Sequence, residues 1–181
     1  MTDLSTSSEA PPVKAAAISD LLASLHLPAG RLTPSELERA ASEVALRPEL
    51  WEDLVVDSFD ERWWLLLHNA GNYEVRVLSW EFDQSSGWHD HGGASGGFYV
   101  TSGKLDEQSR AVSGAAVKSV QFGPGERGCF GPAHVHDVAY ADGHPAVSIH
   151  AYSPPLRFLT MYDETPLGLV AREVVPDYRP A

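Results

Sequence analysis

The spacing of apolar residues changes near residue 55 and divides the chain into a helical part and a β part. Residues 18–27 read ISDLLASLHL and predict a short helix that ends at Pro28 and Gly30. Residues 1–14 are rich in Ser, Thr, Pro and Ala, which predicts a flexible tail.

A second predicted helix has clearer boundary signals. Thr33 suits the N-cap, Pro34 the first helical position, and Glu36 the third residue of a capping box. Apolar residues then recur at helical spacing, at Leu37, Ala40, Ala41, Val44 and Ala45. Arg47 precedes Pro48, so the helix is expected to end there.

Beyond residue 55 the chain contains short runs rich in β-branched and aromatic residues, separated by Gly, Pro, Asn or Asp. The predicted strands are 62–68, 73–80, 97–102, 115–122 and 146–152. Many short strands at close spacing predict a sandwich or barrel and not a parallel α/β sheet. No linker interrupts the chain, so we expect one domain, with a helical part (15–54) packed on a β-barrel (55–181).

Composition and net charge limit the classes of partner that the chain can bind. The chain has 181 residues, 43% of them hydrophobic, and a formal net charge of −12, which suits one globular domain with a sizeable core. Nucleic acid and anionic membranes need a basic face, so this balance argues against both. No apolar run approaches the ~20 residues of a membrane span.

The start of the sequence and its cysteine content both favour the cytoplasm. Met1-Thr2-Asp3-Leu4 lacks the basic start and apolar stretch of a signal peptide. The chain has one cysteine, Cys129, so no disulfide can form within it. Next to Phe130, this cysteine is expected to be a small buried hydrophobe.

The eight histidines are grouped, and His89-Asp90-His91 is the clearest cluster. In extended backbone, residues i and i+2 face the same side, so the two imidazoles, roughly 7 Å apart at their bases, can reach one metal ion. Asp90 then faces the opposite side and is a poor third ligand. The alternative is a pair of surface histidines in a turn.

His134-Val135-His136 forms a second pair, which follows Gly131-Pro132. One histidine from this pair, added to His89 and His91, gives a facial triad that leaves positions open for substrate and dioxygen. Only one of His134 and His136 needs to bind the metal. The other would hydrogen-bond near the site or lie on the surface.

Ser148-Ile149-His150-Ala151-Tyr152 alternates polar and apolar residues. A strand would align Ser148, His150 and Tyr152 on one face, where hydrogen bonds could fix the histidine tautomer and tune the tyrosine hydroxyl. The alternative is the polar outer face of an ordinary half-buried strand. A nucleophilic serine is not supported, because no G-x-S-x-G turn presents it.

These motifs together resemble the cysteine dioxygenase family of cupin-fold thiol dioxygenases, over roughly residues 60–160. Trp80 lies nine residues before His89 in an LSW…HDH arrangement, and a later HxV at 136–138 precedes PAVSIHAYSPP. Gly103 fits the closing glycine of the first cupin motif. The resemblance implies a mainly β cupin jelly roll with two or three N-terminal helices.

The resemblance also implies the chemistry of the site. His89, His91 and His136 would bind Fe(II), and His136 is preferred to His134 because the family's third histidine is followed by x-Val. Ser148, His150 and Tyr152 would form the family's catalytic hydrogen-bonded triad, with Tyr152 reaching substrate and oxygen. Ser153-Pro154 matches a cis peptide bond. The partners would be dioxygen and a small thiol, such as cysteine or 3-mercaptopropionate, oxidised to its sulfinic acid.

The sequence departs from the family at two positions. Gly96 stands where many cupins have a glutamate ligand and where mammalian cysteine dioxygenases have a cysteine cross-linked to the tyrosine matching Tyr152. We therefore expect no thioether. The family's substrate-carboxylate arginine should fall near residues 62–65, so either Arg62 binds the substrate or Leu65 has replaced that arginine.

Two other function classes remain open from the sequence. One is a cupin dioxygenase or isomerase that uses the same iron site on a non-thiol substrate. The other is a non-catalytic metal-binding sensor, although mere metal binding does not need the Ser148, His150 and Tyr152 row. For the thiol dioxygenase we expect a cytoplasmic monomer or weak homodimer.

Overall fold

The computed structural model describes residues 8–60, 62–114 and 116–176, and its helices lie in the N-terminal part. These are α1 (Pro12–Ala23) and α2 (Pro34–Ala45), followed by 3₁₀ turns at Pro48–Leu50 and Glu52–Leu54. None of the helices in this part of the chain is long and apolar enough to cross a membrane.

The boundaries of α2 agree with the sequence prediction, whereas those of α1 do not. The Thr33 side chain accepts a hydrogen bond from the Glu36 backbone N–H, and the Glu36 carboxylate accepts one from the Thr33 N–H, which completes the capping box. Helix α1 begins and ends earlier than the predicted 18–27 helix.

The predicted flexible tail over residues 1–14 is wrong for residues 8–14. Strand β1 (Ser8–Glu9) pairs in parallel with residues 65 and 66, Ala10 is buried, and α1 has begun by residue 12. Residues 1–7 lie outside the described residues.

Most of the remaining chain is antiparallel β structure. The strands are β2 (Trp64–Asn69), β3 (Glu74–Trp80), β4 (Ser95–Ser102), β5 (Leu105–Ser109), β6 (Lys118–Phe122), β7 (Arg127–Phe130), β8 (His136–Tyr140), β9 (Ala146–Ser153), β10 (Phe158–Thr165) and β11 (Gly168–Pro176). They form a sheet in the order β1-β2-β3-β9-β4-β7, a second sheet β6-β5-β8 and a hairpin β10-β11. The mainly β prediction is confirmed, and the five predicted strands correspond to β2, β3, β4, β6 and β9.

Alternation along the central strands creates two separate cores. Val75 and Val77 of β3 and Ile149 and Ala151 of β9 face α1 and α2. The opposite faces of the same strands supply a second core, which includes Leu78, Trp80, Phe98, Phe130 and Tyr152. The candidate functional side chains lie with this second core, on the side of the sheet away from the helices.

Candidate metal centre

Three histidines meet beside the second core. One ring nitrogen from each of His89, His91 and His136 lies within 4.8 Å of the others, and all three side chains are buried. Reciprocal backbone hydrogen bonds produce this approach: the His89 N–H donates to the His136 carbonyl at 2.9 Å, and the His136 N–H donates back at 3.1 Å. The loop before β4 is therefore fixed against the start of β8.

Hydrogen bonds to the outer ring nitrogens set the orientation of two imidazoles. His89 Nδ1 lies 2.8 Å from the Gly87 carbonyl, and His136 Nδ1 lies 2.7 Å from Glu107 Oε1. Both partners accept only, so each Nδ1 carries the proton and each Nε2 is left for a metal. His91 is held by ring contacts instead, with its ring centroid 4.6 Å from that of Phe130.

The electrostatics of the cluster keep its imidazoles neutral. Burial and then the neighbouring histidines hold the pKa of His89 and of His91 well below the ordinary value. Burial also lowers the pKa of His136, although its bond to Glu107 opposes the shift. Neutral imidazole is the metal-binding form and suits iron, zinc, copper and nickel, so this donor set fits a transition metal.

Glu107 explains the role of the second histidine pair. Its Oε1 accepts hydrogen bonds from His136 Nδ1 and also from His134 Nε2, at 3.0 Å. Burial would raise the pKa of Glu107, but these hydrogen bonds lower it to about 2. His134 thus holds the carboxylate that orients His136. Glu107, His134 and His136 also lie close enough to form a metal-binding group of their own, but His134 Nε2 and His136 Nδ1 both already bond Glu107.

Asp90 faces away from the histidine cluster, as expected. Its Oδ1 accepts from the Gly92 N–H at 2.9 Å, and its Oδ2 accepts from the Tyr162 hydroxyl at 2.7 Å. The carboxylate therefore joins the histidine loop to the β10-β11 hairpin.

The polar row on β9 is buried, so it is not an outer strand face. Ser148 Oγ lies 2.9 Å from His150 Nε2, and His150 Nδ1 lies 3.1 Å from the Tyr152 hydroxyl. Burial, with neighbouring His136 and the charges of Arg62 and Arg76 adding to it, lowers the pKa of His150 to about 3. The Tyr152 ring stacks on His91, with centroids 5.5 Å apart, which places the row beside the candidate ligands.

Arg62 packs beside the site and is half-buried. Its Cζ lies 4.8 Å from the centre of the Trp80 ring, and its Nε is enclosed. Burial lowers the pKa of Arg62, and the neighbouring Tyr152 hydroxyl opposes this shift. Leu65 belongs to the core that faces the helices, so it does not occupy the place of a substrate-binding arginine.

Sequence analysis missed a second arginine, Arg76. Its Nη2 lies 2.5 Å from Glu74 Oε1, and its Cζ lies 4.0 Å from the centre of the Trp64 ring and 5.9 Å from that of Tyr152. Arg76 pairs across the sheet with His150. The available signal was the alternation in YEVRVLSW, which places both charges on the same strand face as Trp80.

Phe130 fills the space next to Gly96. These residues pair between β4 and β7, and Gly96 also pairs with Tyr152 between β4 and β9. A Cβ at residue 96 would overlap the Phe130 ring, so the missing side chain lets this ring cross β4 toward Tyr152 and His91. Cys129 projects from the other face of β7 and is exposed, so the prediction that it is buried is wrong.

Comparisons with known proteins give one family match and several similar solved structures. The sequence matches the protein family described as cysteine dioxygenase type I over residues 40–165. A comparison with curated proteins finds no match. A solved structure from Thermus thermophilus is 14% identical, with a TM-score of 0.50 over 57% of this chain and 93% of that one. A conserved protein from Klebsiella pneumoniae with a double-stranded β-helix domain is 17% identical, with a TM-score of 0.48 over 57% and 80%.

Proposed function

Because the family match over residues 40–165 covers most of the chain, the protein belongs to the cysteine dioxygenase type I family, and we propose that it is an Fe(II)-dependent thiol dioxygenase. Membership confirms the cupin fold and the family resemblance inferred from the sequence motifs. One observation carries the proposal: the His89, His91 and His136 cluster lies against the buried Ser148, His150 and Tyr152 row.

The proposed reaction joins a small thiol and dioxygen to give a sulfinic acid. Iron bound by the three histidines would supply a centre at which thiolate and dioxygen are brought together and activated. The protein contributes neutral ligands, of which His136 is oriented by Glu107. Aromatic rings of Phe130 and Tyr152 contact the cluster, and the Tyr152 hydroxyl is positioned by His150.

We propose that the substrate carries a carboxylate, as cysteine and 3-mercaptopropionate do. A buried carboxylate needs a cationic partner, and a guanidinium offers a fork of donors that matches it. Arg62 is the candidate because its Cζ lies 4.8 Å from the centre of the Trp80 ring, which belongs to the core beside the histidine cluster. Arg76 is held by Glu74 and serves to shape the site.

A free thiol persists in a reducing compartment, so we propose that the protein works in the cytoplasm. Its partners there would be the thiol and dioxygen alone, with the protein acting as a monomer or weak homodimer.

Oxygen consumption tests the proposal. Protein loaded anaerobically with Fe(II) is mixed with cysteine, 3-mercaptopropionate or cysteamine, and oxygen uptake is compared with sulfinate formed. We expect one dioxygen consumed per sulfinate with at least one thiol carboxylate. His136→Ala should abolish uptake and bound iron, whereas His144→Ala, at an exposed turn, should retain both.

The other outcomes identify the rival functions. Iron binding without oxygen uptake on any thiol would support a cupin enzyme acting on a non-thiol substrate or a metal-binding sensor. Full iron occupancy in His136→Ala, with loss in His134→Ala, would overturn the assignment of the third ligand.

A further inference from the structure

The turn that follows β3 holds a buried carboxyl group, Glu81, outside the histidine cluster. This residue is 1% exposed, and its Oε1 has no hydrogen-bond partner among the residues that the structure describes. A second carboxyl group, that of Asp57 in loop 55–60, lies within hydrogen-bond reach of it. Ionised carboxylates only accept hydrogen bonds, so a bond between these two groups needs one proton.

The backbone around both residues brings the two carboxyl groups together. Loop 55–60 is joined to the end of β3 by two side-chain-to-carbonyl hydrogen bonds, from Ser79 Oγ to the Val56 carbonyl at 2.9 Å and from Gln84 Nε2 to the Ser58 carbonyl at 2.7 Å. The two acceptors lie directly before and after Asp57, and the two donors lie on either side of Glu81. The contact between the carboxyl groups is therefore built into the fold.

The surroundings decide which carboxyl group carries the proton. Asp57 is exposed, so water stabilises its charge, whereas Glu81 is buried and the neutral form is favoured there. Burial, with Asp57 adding to it, raises the pKa of Glu81. Two further carboxyl groups add only negative charge: Glu52 lines a cavity of about 490 Å³ together with Asp57, and Asp83 is exposed in the same turn as Glu81.

The chain from this loop leads to Arg62. The Trp63 carbonyl accepts from the Ser79 N–H at 3.1 Å, so the chain here still lies along the end of β3. The Arg62 guanidinium rests on the ring of Trp80, the residue directly before Glu81, with Cζ 4.8 Å from the ring centre. The carboxyl pair therefore fastens the chain close to the point where Arg62 is placed.

We propose that Glu81 is a positioning residue, whose protonated carboxyl group donates a hydrogen bond to the Asp57 carboxylate and holds the chain leading to Arg62 against β3. The consequence for substrate binding rests on the proposed function, in which Arg62 binds the substrate carboxylate. Because the pKa of Glu81 is raised above 4.5, this bond is complete below that pH and is lost as pH rises through the raised pKa.

The proton can be measured by ¹³C NMR of the side-chain carboxyl carbons in the complete, metal-free protein. The Glu81 signal is assigned by its loss in Glu81→Gln. We expect it to titrate at higher pH than the signal of Glu173, which is exposed on β11. Asp57→Asn removes the neighbouring charge and should lower the pKa of Glu81, whereas Asp83→Asn, at an exposed residue of the same turn, should leave it unchanged.

Kinetics tests the connection to Arg62. As pH rises from 5.5 to 8.5, KM for 3-mercaptopropionate should increase more in the native protein than in Glu81→Gln, whose amide donates to Asp57 at every pH. We expect the two KM values to differ by roughly fivefold at the highest pH, the size of a strong charge–charge contact, and to agree at the lowest. KM for cysteamine, which has no carboxylate, should not show this difference. If Glu81→Gln does not fold, Asp57→Asn provides the donor instead and should give the same profile.

A Glu81 signal that titrates like that of Glu173, or that Asp57→Asn leaves unchanged, would overturn the protonated pair. The same KM profile for 3-mercaptopropionate in the native protein and in Glu81→Gln would overturn the connection to Arg62. Because the titration is recorded without metal or thiol, its outcome is independent of whether the protein oxidises thiols.

Discussion

Glu107 shows how one side chain organises several others. Its carboxylate accepts from both His134 and His136, and the latter bond directs Nε2 of His136 toward the other two candidate ligands. Such carboxylate partners fix the tautomer and ring orientation of a metal-binding histidine and raise its basicity.

Glu107→Gln keeps the shape of this side chain but removes the charge. We expect iron affinity to fall by roughly 10- to 100-fold, because a neutral amide holds and polarises His136 less well. Competition with a chelator measures the affinity. Glu173→Gln, at an exposed residue of β11, is the control, and equal affinities for the two variants would contradict the role of Glu107.

Arg62→Gln tests recognition of the carboxylate. With the guanidinium removed, kcat/KM for 3-mercaptopropionate should fall by roughly 30-fold or more, since a buried charge loses its partner at a cost of about 2 kcal/mol or more. Turnover of cysteamine, which has no carboxylate, should change much less. An equal loss for both thiols would indicate a structural role, and Arg172→Gln on β11 serves as the control.

Site residues could be predicted from the sequence only where they lie close together in one segment of the chain. The histidine pairs and the β9 row follow from i, i+2 spacing, which one extended segment displays. The position of Glu107 beside His136 depends on the pairing of β5 with β8, across 29 residues of chain. No local pattern contains that pairing, so the sequence left the choice between His134 and His136 to the family resemblance.

At the scale of elements, the pairing of β7 with β4 and of β4 with β9 brings one aromatic ring across the middle strand. The ring of Phe130 crosses Gly96 and reaches His91, His136 and Tyr152, with centroids 4.6, 5.3 and 6.5 Å away. The glycine and the phenylalanine are therefore complementary, and neither can change alone without cost.

A double-mutant cycle measures this complementarity. Gly96→Ala should lower the free energy of unfolding by about 1–3 kcal/mol, because its new methyl group overlaps the Phe130 ring. In a Phe130→Leu background the same substitution should cost clearly less. Urea unfolding gives all four stabilities. The same cost in both backgrounds would show that the ring does not require glycine at this position.

The elements that the sequence predicts best are those with strong local signals. Helix α2 has a capping box, and β3 and β9 alternate β-branched or other apolar residues with polar ones at the spacing of a strand. Strand β5, by contrast, reads LDEQS and is polar, and β10 and β11 are half-exposed. Their strand conformation is supported by pairing, of β5 with β6 and β8 and of β10 with β11, which outweighs weak intrinsic preference.

Over the whole molecule, one sheet separates two environments. Its helix-facing side is apolar, whereas the opposite side carries buried histidines, Arg76 and Glu74 among aromatic rings. Buried imidazoles that must remain neutral link the stability of the protein to pH.

The sign of this linkage follows from His150. Its pKa is 6.5 in the reference state and about 3 in the folded protein, so the unfolded chain binds the proton first as pH falls. The stability that neutral His150 contributes is fully present above pH 6.5. It is lost as pH falls toward 3, by up to about 1.4 kcal/mol per pH unit for one such group.

Metal-free protein should therefore unfold at lower urea concentration as pH decreases below 6.5. His150→Gln should reduce this pH dependence, and His144→Gln, at an exposed turn, should not. An identical pH dependence in native protein and His150→Gln would contradict the account of His150 as a neutral buried group.

The central claim is that both atoms of dioxygen are transferred to the sulfur of a small thiol. The most direct measurement is the mass of the product formed by the Fe(II)-loaded protein from 3-mercaptopropionate or cysteine under ¹⁸O₂. The account predicts a sulfinate in which both new oxygen atoms are ¹⁸O, and no such product from His136→Ala. A product with oxygen from water, or a disulfide as the only product from every thiol carboxylate, would contradict it.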